Sequence, residues 1–282
     1  MKKIATSFFL FLCLNANSQT NQNINKTSGT VSNPINQIDS IRFNLLTNQM
    51  EVVLQSGVET HPLSEITNVT FSTSATNCSG DITSVTDIDG NVYPVVEIGN
   101  QCWTKENLKT TRYADGSVIP NVTDSAQWIG LTTAAWANFD NSPANDVTYG
   151  KLYNWYTVAD PRNVCPAGWH VPTDAEWITL TGFLGGEPVA GDKMKTTTGW
   201  QAPNTDATNE SGFSGLPGGI RYWHNGTFNS VGYSGGWWGS SEYGTSKFGL
   251  SGWMCFLFYN ISIATCGWTS KQNAYSVRCL RD

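Results

Sequence analysis

The chain has 282 residues, with 16 basic and 22 acidic side chains and a formal net charge of −6. An acidic chain without a basic patch excludes nucleic acid as the expected partner. Only 13% of the residues are charged and 27 are glycine, which is typical of a loop-rich extracellular domain rather than a helical cytosolic enzyme.

Residues 1–18 have the pattern of a secretory signal peptide. Two lysines precede an apolar stretch at 8–14 that is too short to span a bilayer, and residues 16–18 offer a small-x-small cleavage site. We therefore expect export from the cytoplasm, with a mature chain that begins near Gln19. Lipidation at Cys13 is the alternative, disfavoured by the large residue before it. No later stretch is long and apolar enough to predict a transmembrane span.

Composition divides the remaining chain into three parts. Residues 19–33 are rich in Asn, Thr and Ser, which predicts a flexible polar segment. A weak repeat at 34–43 and 62–71, with alternating apolar residues between the copies, predicts a small β unit over 34–76. None of the 12 Trp lies in the first hundred residues, so we place a separate main domain at 78–282.

The main domain is predicted to open with a hairpin, because the Asp-Gly pair at 89–90 favours a tight turn between apolar strand residues. Helix signals are few. Thr173 and Glu176 form a capping box before apolar residues at helical spacing, and shorter helices are predicted near 124–129 and 189–195.

The C-terminal part is rich in glycine and carries short apolar runs. Runs at 256–258 and 261–263 flank a Tyr-Asn pair, which predicts a hairpin, and a last strand is predicted at 275–280. The expected fold class is α+β, with short antiparallel strands, few helices and long Trp/Gly-rich loops, preceded by the small β unit.

Six cysteines remain after the expected signal peptide. An even number in an oxidising context predicts three disulfides, and six cysteines allow fifteen pairings. The cysteine spacing and the three histidines do not match a zinc site, so we expect no metal and no other cofactor.

Five ordered motifs cover nearly all of the main domain. They are D-I-D-G-N-V-Y at 87–93 continued by I-G-N-Q-C-W at 98–103 and E-N-L at 106–108, Y-G-K-L-Y-N-W at 149–155, C-P-A-G-W-H-V-P-T-D-A-E-W at 165–177, W-W-G-S-S-E at 237–242 and S-V-R-C-L-R-D at 276–282. Together they resemble the Fibrobacter succinogenes major paralogous domain family. The resemblance implies an exported or lipid-anchored bacterial surface protein with a fold similar to C-type lectin-like and sulfatase-modifying-factor domains. It implies no known activity and supplies no residues of assigned role.

The resemblance also favours one disulfide pairing. Lectin-like folds bring the chain ends together and tie an early helix region to the last strand. The remaining cysteines flank the two predicted hairpins. The expected pairs are therefore Cys165–Cys279, Cys255–Cys266 and Cys78–Cys102.

Two patterns suggest chemistry that their context does not support. The G-x-S-x-G match at 232–236 is followed by a Gly- and Trp-rich loop, and no His lies beyond His224, so we interpret it as a turn and not a nucleophile elbow. Asp87, Asp89 and Asn91 alternate as in a calcium loop, but the sixth and twelfth positions lack Gly and Glu. We interpret this segment as a hairpin turn.

Two further candidates bear on whether the chain is an enzyme. His170 has no partner at metal-binding spacing, which favours a structural role. Cys255 and Cys266 lie where a sulfatase-modifying oxidoreductase has its redox pair, but this alternative rests on fold analogy alone. We expect no enzymatic activity.

Aromatic residues in Gly-rich loops are the best ligand-binding candidates, because aromatic faces beside polar side chains suit sugar rings. For Trp223, Trp237 and Trp238, a core role and a ligand role both remain open. The expected function is an exported binding or adhesion module for a glycan or a cell-surface partner, and a purely structural surface protein is the other alternative. The candidate site residues are Tyr222, Trp223, His224, Asn225, Trp237, Trp238, Glu242 and Trp253.

Overall fold

The computed structural model describes residues 21–26, 29–34, 38–44, 49–54, 57–72, 78, 82–246 and 249–282. The expected signal peptide therefore lies outside the described residues. Contacts divide the chain into two compact units, Met1–Thr76 and Asn77–Asp282. Over the described ranges, no helix has the length and hydropathy to cross a membrane.

The first unit consists of antiparallel strands in two sheets, ordered β2-β1-β6 and β3-β4-β5. The strands are β1 Asn21–Lys26, β2 Gly29–Pro34, β3 Ile38–Asn44, β4 Gln49–Leu54, β5 Gly57–Pro62 and β6 Ile66–Ser72. The two copies of the sequence repeat contribute β3 and β6, which belong to different sheets. β1 and β2 lie in the segment for which composition predicts flexibility, because main-chain pairing does not require apolar side chains.

The second unit has helices interspersed among short strands, and all its strand ladders are antiparallel. The helices are α1 Ser125–Trp128, α2 Pro143–Tyr149, α3 Trp155–Val158, α4 Asp174–Phe183 and α5 Glu187–Met194. The strands are β7 Ser84–Thr86, β8 Val92–Ile98, β9 Gln101–Thr104, β10 Trp136–Ala137, β11 Leu152–Asn154, β12 Trp169–His170, β13 Gly218–Arg221, β14 Phe228–Val231, β15 Ser234–Ser246, β16 Gly249–Phe258, β17 Thr265–Ser270, β18 Ala274–Tyr275 and β19 Leu280–Arg281.

These strands form sheets ordered β10-β11-β18-β13-β14, β12-β19-β9-β8-β7 and β15-β16-β17. The architecture is that of an α+β unit built mainly from antiparallel sheet. The predicted helices near 124–129 and 189–195 correspond to α1 and α5, and the helix predicted after the Thr173–Glu176 capping box is α4. The capping box is present at α4, where the Glu176 carboxylate accepts from the Thr173 main-chain N–H at 2.8 Å.

Two strand predictions are wrong in detail. Residues 261–263 are loop, because β16 ends at Phe258 and its partner β17 starts only at Thr265. The predicted final strand at 275–280 is split into β18 and β19, which belong to different sheets. The chain crosses between the sheets in the four residues that separate these strands.

In the sheet β12-β19-β9-β8-β7 the last strand of the chain lies beside β9, near the start of the second unit, since Trp103 of β9 pairs with Leu280 of β19. A disulfide between Cys165 and Cys279 adds a covalent link at the same place. The other two disulfides among the described cysteines join Cys78–Cys102 and Cys255–Cys266. These are the pairs that the resemblance implies.

The sheet β15-β16-β17 lies between two hydrophobic clusters. Along β16, Met254 belongs to the cluster on one face, whereas Cys255 and Leu257 belong to the cluster on the other. On β15, Trp238 and Trp237 divide between the same two clusters. The sheet therefore has side chains packed on both faces, and alternation decides the face to which each residue belongs.

Asn107 is the polar centre of this core. Its Oδ1 accepts from Trp237 Nε1 at 2.8 Å and from Arg278 Nε at 2.7 Å. Its Nδ2 donates to the Tyr149 carbonyl at 2.7 Å and to Ser276 Oγ at 3.1 Å. One buried side chain thus connects residues of four sequence motifs.

Candidate functional site

The structure divides the predicted ligand-binding residues by burial. All 12 Trp lie in the described part of the chain, and nine of them are buried. Trp237 and Trp238 have 0% exposed surface, and the Trp238 indole N–H donates to the Tyr153 carbonyl at 2.7 Å. These two residues belong to the core, so the ligand-binding prediction is corrected for both. Trp223 is the exposed one, at 39%.

A second separation follows from the strand register. Glu242 pairs with Gly252, whereas Trp253 is the next residue along β16 and pairs with Trp268 of β17. Neighbouring residues of a strand point to opposite faces, so Trp253 and Glu242 lie on opposite sides of the sheet. Trp253 instead stacks edge-on against Trp268, with ring centroids 4.8 Å apart. The prediction that it joins Glu242 in one site is wrong.

The remaining predicted residues form the turn between β13 and β14. Trp223, His224 and Asn225 are exposed, and Tyr222 is half-buried. The His224 ring lies 5.2 Å from the Tyr222 ring and 5.8 Å from the Trp223 ring, measured between centroids. We call these four residues the tip surface. Aromatic faces and polar groups lie side by side on it.

Arg221 holds the tip surface in place from below. Its side chain is fully buried, and its guanidinium lies 4.2 Å from the Trp128 ring centroid. Nε donates to the Gly226 carbonyl at 2.9 Å, and the terminal nitrogens donate to the carbonyls of Val122 and Thr123. Burial lowers the pKa of Arg221 to about 10, so the group remains charged at neutral pH.

Gly226 allows the tip to approach α1 closely. It has φ +65°, and a Cβ at this position would lie 2.4 Å from the Ser125 carbonyl oxygen. The Ser125 hydroxyl in turn donates to the Gly226 carbonyl at 3.2 Å. A side chain at position 226 would therefore push the tip away from the helix.

The turn at 270–273, between β17 and β18, fixes the tip surface from the other side. Asn273 Oδ1 accepts from the Trp223 main-chain N–H at 3.1 Å, and its Nδ2 donates to Thr269 Oγ1 at 2.9 Å. The Gln272 carbonyl accepts from the Trp128 indole at 3.0 Å. Asn273 is only 6% exposed, so it positions Trp223 and lies beneath the surface.

The same turn carries an ion pair. The Lys271 ammonium donates to Glu242 and lies 4.1 Å from the Trp155 ring centroid. The Lys271 side chain is 4% exposed, against 53% for Glu242. Burial, together with the nearby Glu242 charge, raises the pKa of Tyr156. Sequence reasoning did not identify Lys271, Asn273 or Thr269 as site residues.

The two segments whose sequences resemble enzyme motifs lie in the sheet β15-β16-β17. Ser234 of the G-x-S-x-G match is 4% exposed and starts the long strand β15, where a nucleophile elbow needs a helix. Cys255 and Cys266 are direct cross-strand partners of β16 and β17 and form a disulfide.

Both carboxylate oxygens of Asp87 accept hydrogen bonds from residues of the same hairpin. Oδ1 accepts from the main-chain N–H groups of Asp89 and Asn91, and Oδ2 accepts from Tyr93 O–H at 2.6 Å. Asp89 accepts from the main chain and the hydroxyl of Thr111. These contacts are those of a hydrogen-bonded hairpin turn, as the sequence interpretation has it.

His170 lies between two carboxylates. Nδ1 is 2.6 Å from Asp282 Oδ1, and Nε2 is 3.1 Å from Glu176. These contacts raise the pKa of His170, and burial opposes them. The pKa of Glu176 is lowered by His170 and Thr173, against the opposing effect of burial. The histidine thus links the last residue of the sequence to the start of α4.

The fold and the surface features define a disulfide-linked α+β domain with an exposed aromatic tip. The profile of the Fibrobacter succinogenes major domain matches residues 96–281, and the chain belongs to this family. No curated protein and no solved structure matches the chain.

Proposed function

We propose that this chain is an exported, non-enzymatic binding module that recognises a glycan at its tip surface. The exposed indole of Trp223 carries the proposal. Nine of the other Trp residues are buried and build the core, whereas Trp223 presents 39% of its surface and is held by Asn273 and the Arg221 anchor. An exposed aromatic ring that is already held in place loses little conformational entropy when a ligand stacks on it.

The polar groups beside Trp223 suit a polyhydroxylated ligand. His224 and Asn225 are exposed, and their side chains offer both donors and acceptors. Asn225 Oδ1 already accepts from the Thr227 main chain and hydroxyl, which leaves the amide nitrogen to donate. An aromatic face next to such groups is the arrangement in which rings with axial C–H groups and hydroxyls bind.

Two further parts of the proposal concern fold and location. The pairing of β9 with β19 and the Cys165–Cys279 disulfide support a C-type lectin-like topology, in which the chain ends meet. The disulfides and the signal-peptide pattern at 1–18 support export to the cell surface or medium.

A glycan array tests the binding proposal. Mature wild-type protein is compared with Trp223→Ala and with the control Phe183→Ala, which removes an aromatic ring that is 64% exposed on α4. We expect glycan binding by the wild type and the control, and at least tenfold weaker binding by Trp223→Ala. Binding that is unaffected by Trp223→Ala, or no binding by the wild type, would refute the proposal.

A further inference from the structure

The outer side of α4 exposes apolar side chains to solvent. Ile178 is 54% exposed and Phe183 is 64% exposed, and Val189 at the start of α5 is 40% exposed. The Phe183 ring is held in place, because it lies against Gly99, where an added Cβ would be 2.9 Å from Cδ2 of the ring. Residues 177–186 include no charged side chain. An uncharged, apolar surface of this kind marks a site of interaction with another molecule.

The shape of this outer side follows from the helical spacing of about 100° per residue. Large side chains lie at its two margins, with Ile178 on one and Phe183 on the other. Small residues lie along the middle, namely Ala175, Thr179 and Gly182. We call these five residues the outer face of α4. It has a shallow hollow between two apolar walls, which is a shape into which another helix can pack.

Gly182 has no role that requires glycine within the described part of the chain. It lies inside α4 without a positive φ, and an added Cβ would have no described atom within 4 Å. Gly191 of α5 differs, because a Cβ there would lie 2.5 Å from the Ser262 carbonyl oxygen. Glycine inside a helix is unfavourable relative to alanine. Its presence where there is free space indicates that the backbone at Gly182 is kept open for a partner.

The charges around the outer face favour a second copy of the chain as the partner. The net charge is −6, so two copies repel each other unless they meet through an uncharged surface. The carboxylates at the start of α4 are occupied within their own chain, since Asp174 accepts from the Ser241 hydroxyl at 2.8 Å and Glu176 contacts His170 at 3.1 Å. The outer face therefore offers no free carboxylate to a basic partner and places no carboxylate against a like surface.

We propose that the outer face of α4 is the contact surface of a symmetric dimer of two copies of this chain. Phe183 and Ala175 lie equally far in sequence from Thr179, on either side of it. When two α4 helices pack antiparallel about a two-fold axis near Thr179, the Phe183 ring of one copy meets the small residue Ala175 of the other. The same contact occurs twice, as an isologous interface requires. Gly182 lets the two backbones approach closely.

Sedimentation velocity of the mature, disulfide-bonded chain tests the proposal over a range of about 1 to 500 µM. A contact made mainly by one helix of 10 residues is small, so we expect a weak dimer with a Kd of about 10–100 µM. Gly182→Glu and Ile178→Glu each bring two carboxylates together at the contact and should raise the Kd at least about tenfold. The control Val147→Glu, on an α2 residue that is 77% exposed, should leave the Kd unchanged.

Thermal unfolding of dilute protein shows whether the variants still fold. Because a side chain at position 182 enters free space, Gly182→Glu should melt no lower than the wild type when both are monomeric. A clearly lower melting temperature would mean that Gly182 serves the fold of its own chain, and the argument from this residue would fail.

Three results of the sedimentation experiment would overturn the dimer. The wild type could stay monomeric at the highest concentration, which would mean that another molecule covers the outer face or that nothing does. The association could persist in folded Gly182→Glu and Ile178→Glu, or Val147→Glu could weaken it equally. None of these results bears on the glycan proposal, because a monomer and a dimer carry the same tip surface.

Discussion

Arg278 Nε donates to Asn107 Oδ1 at 2.7 Å across 171 positions of sequence. Arg278 is fully buried, and its terminal nitrogens donate to main-chain carbonyls, including those of Thr104 and Phe213 at 2.8 Å. Burial lowers the pKa of Arg278 to about 9. The pair connects the first and last motifs of the domain, and all four acceptors of the Arg278 guanidinium are oxygens that carry no formal charge.

Removal of the Asn107 carboxamide should therefore destabilise the whole domain. Asn107→Ala leaves the Arg278 Nε–H and the Trp237 indole N–H without acceptors in the core, and we expect a loss of about 3 kcal/mol or more in the free energy of unfolding. Urea unfolding measures the loss. Asn229→Ala, an exposed control on β14, should change the stability by less than about 0.5 kcal/mol. Equal effects of the two variants would contradict the central role of Asn107.

The disulfides should differ in their contributions to stability. Cys165–Cys279 closes a loop of sequence separation 114, whereas Cys255–Cys266 closes one of 11. Loop-closure entropy gives about 5 kcal/mol for the long loop and about 3 kcal/mol for the short one. Urea unfolding of the two double Cys→Ala variants should show the larger loss for Cys165→Ala/Cys279→Ala. The reverse order would mean that native-state packing outweighs chain entropy.

Gly252 and Gly267 lie on the same face of the sheet β15-β16-β17, so substitution of each by alanine can be compared directly. At Gly252 an added methyl group would lie 2.2 Å from the Trp155 ring, whereas at Gly267 nothing lies within 4 Å. We expect Gly252→Ala to cost about 2–3 kcal/mol through displacement of Trp155, and Gly267→Ala to be neutral within about 0.5 kcal/mol. Thermal and urea unfolding, with tryptophan fluorescence to report on Trp155, check both. A tolerated Gly252→Ala would show that the indole is not fixed.

The contacts of His170 with Glu176 and Asp282 predict a pH dependence. The raised pKa of His170 means that its contribution is complete below the ordinary value of 6.5 and is lost as the pH rises through the folded-state pKa. The lowered pKa of Glu176 means that its contribution is complete above the ordinary value of 4.5 and is lost as the pH falls through the folded-state pKa. Both contributions are therefore complete between these two values.

The variant His170→Gln tests this pH dependence of the free energy of unfolding. The variant should lose about 0.5–1 kcal/mol relative to wild type near pH 5.5, a modest amount because the pair is partly exposed, and the difference should shrink at pH 9. Urea unfolding of both proteins at several pH values supplies the comparison. A difference that stays constant from pH 5.5 to pH 9 would mean that protonation of His170 is not involved.

Local signals in the sequence were sufficient for parts of the fold. The capping box at Thr173 and Glu176 is a short-range pattern, and α4 starts where it predicts. The division of the terminal strand into β18 and β19 was not predictable in this way, because the alternating apolar residues Tyr275, Val277 and Cys279 fit one continuous strand equally well. Only the long-range pairing of β19 with β9 and β12 shows that the chain changes sheets there.

The site shows the same contrast. The sequence left a core role and a ligand role open for Trp223, and the structure places this residue, exposed, in the turn between β13 and β14. Trp237 belongs to an equally Gly-rich run, yet it is buried by the partner strand β16, which no local pattern reveals. Lys271 and Asn273 were missed because their roles depend on Glu242 and Trp223, which lie far away in sequence. The only local signal was a polar Lys-Gln-Asn run between two predicted strands.

The buried guanidinium groups of Arg221 and Arg278 have a consequence for the environments in which the domain can survive. Both are surrounded by main-chain carbonyls and aromatic rings, and neither of these partners titrates. In a core where buried cations pair with carboxylates, acid protonates the carboxylate and leaves the cation without a negative partner. Here acidification leaves the cation and its oxygen ligands unchanged, so these parts of the core are intrinsically acid-resistant.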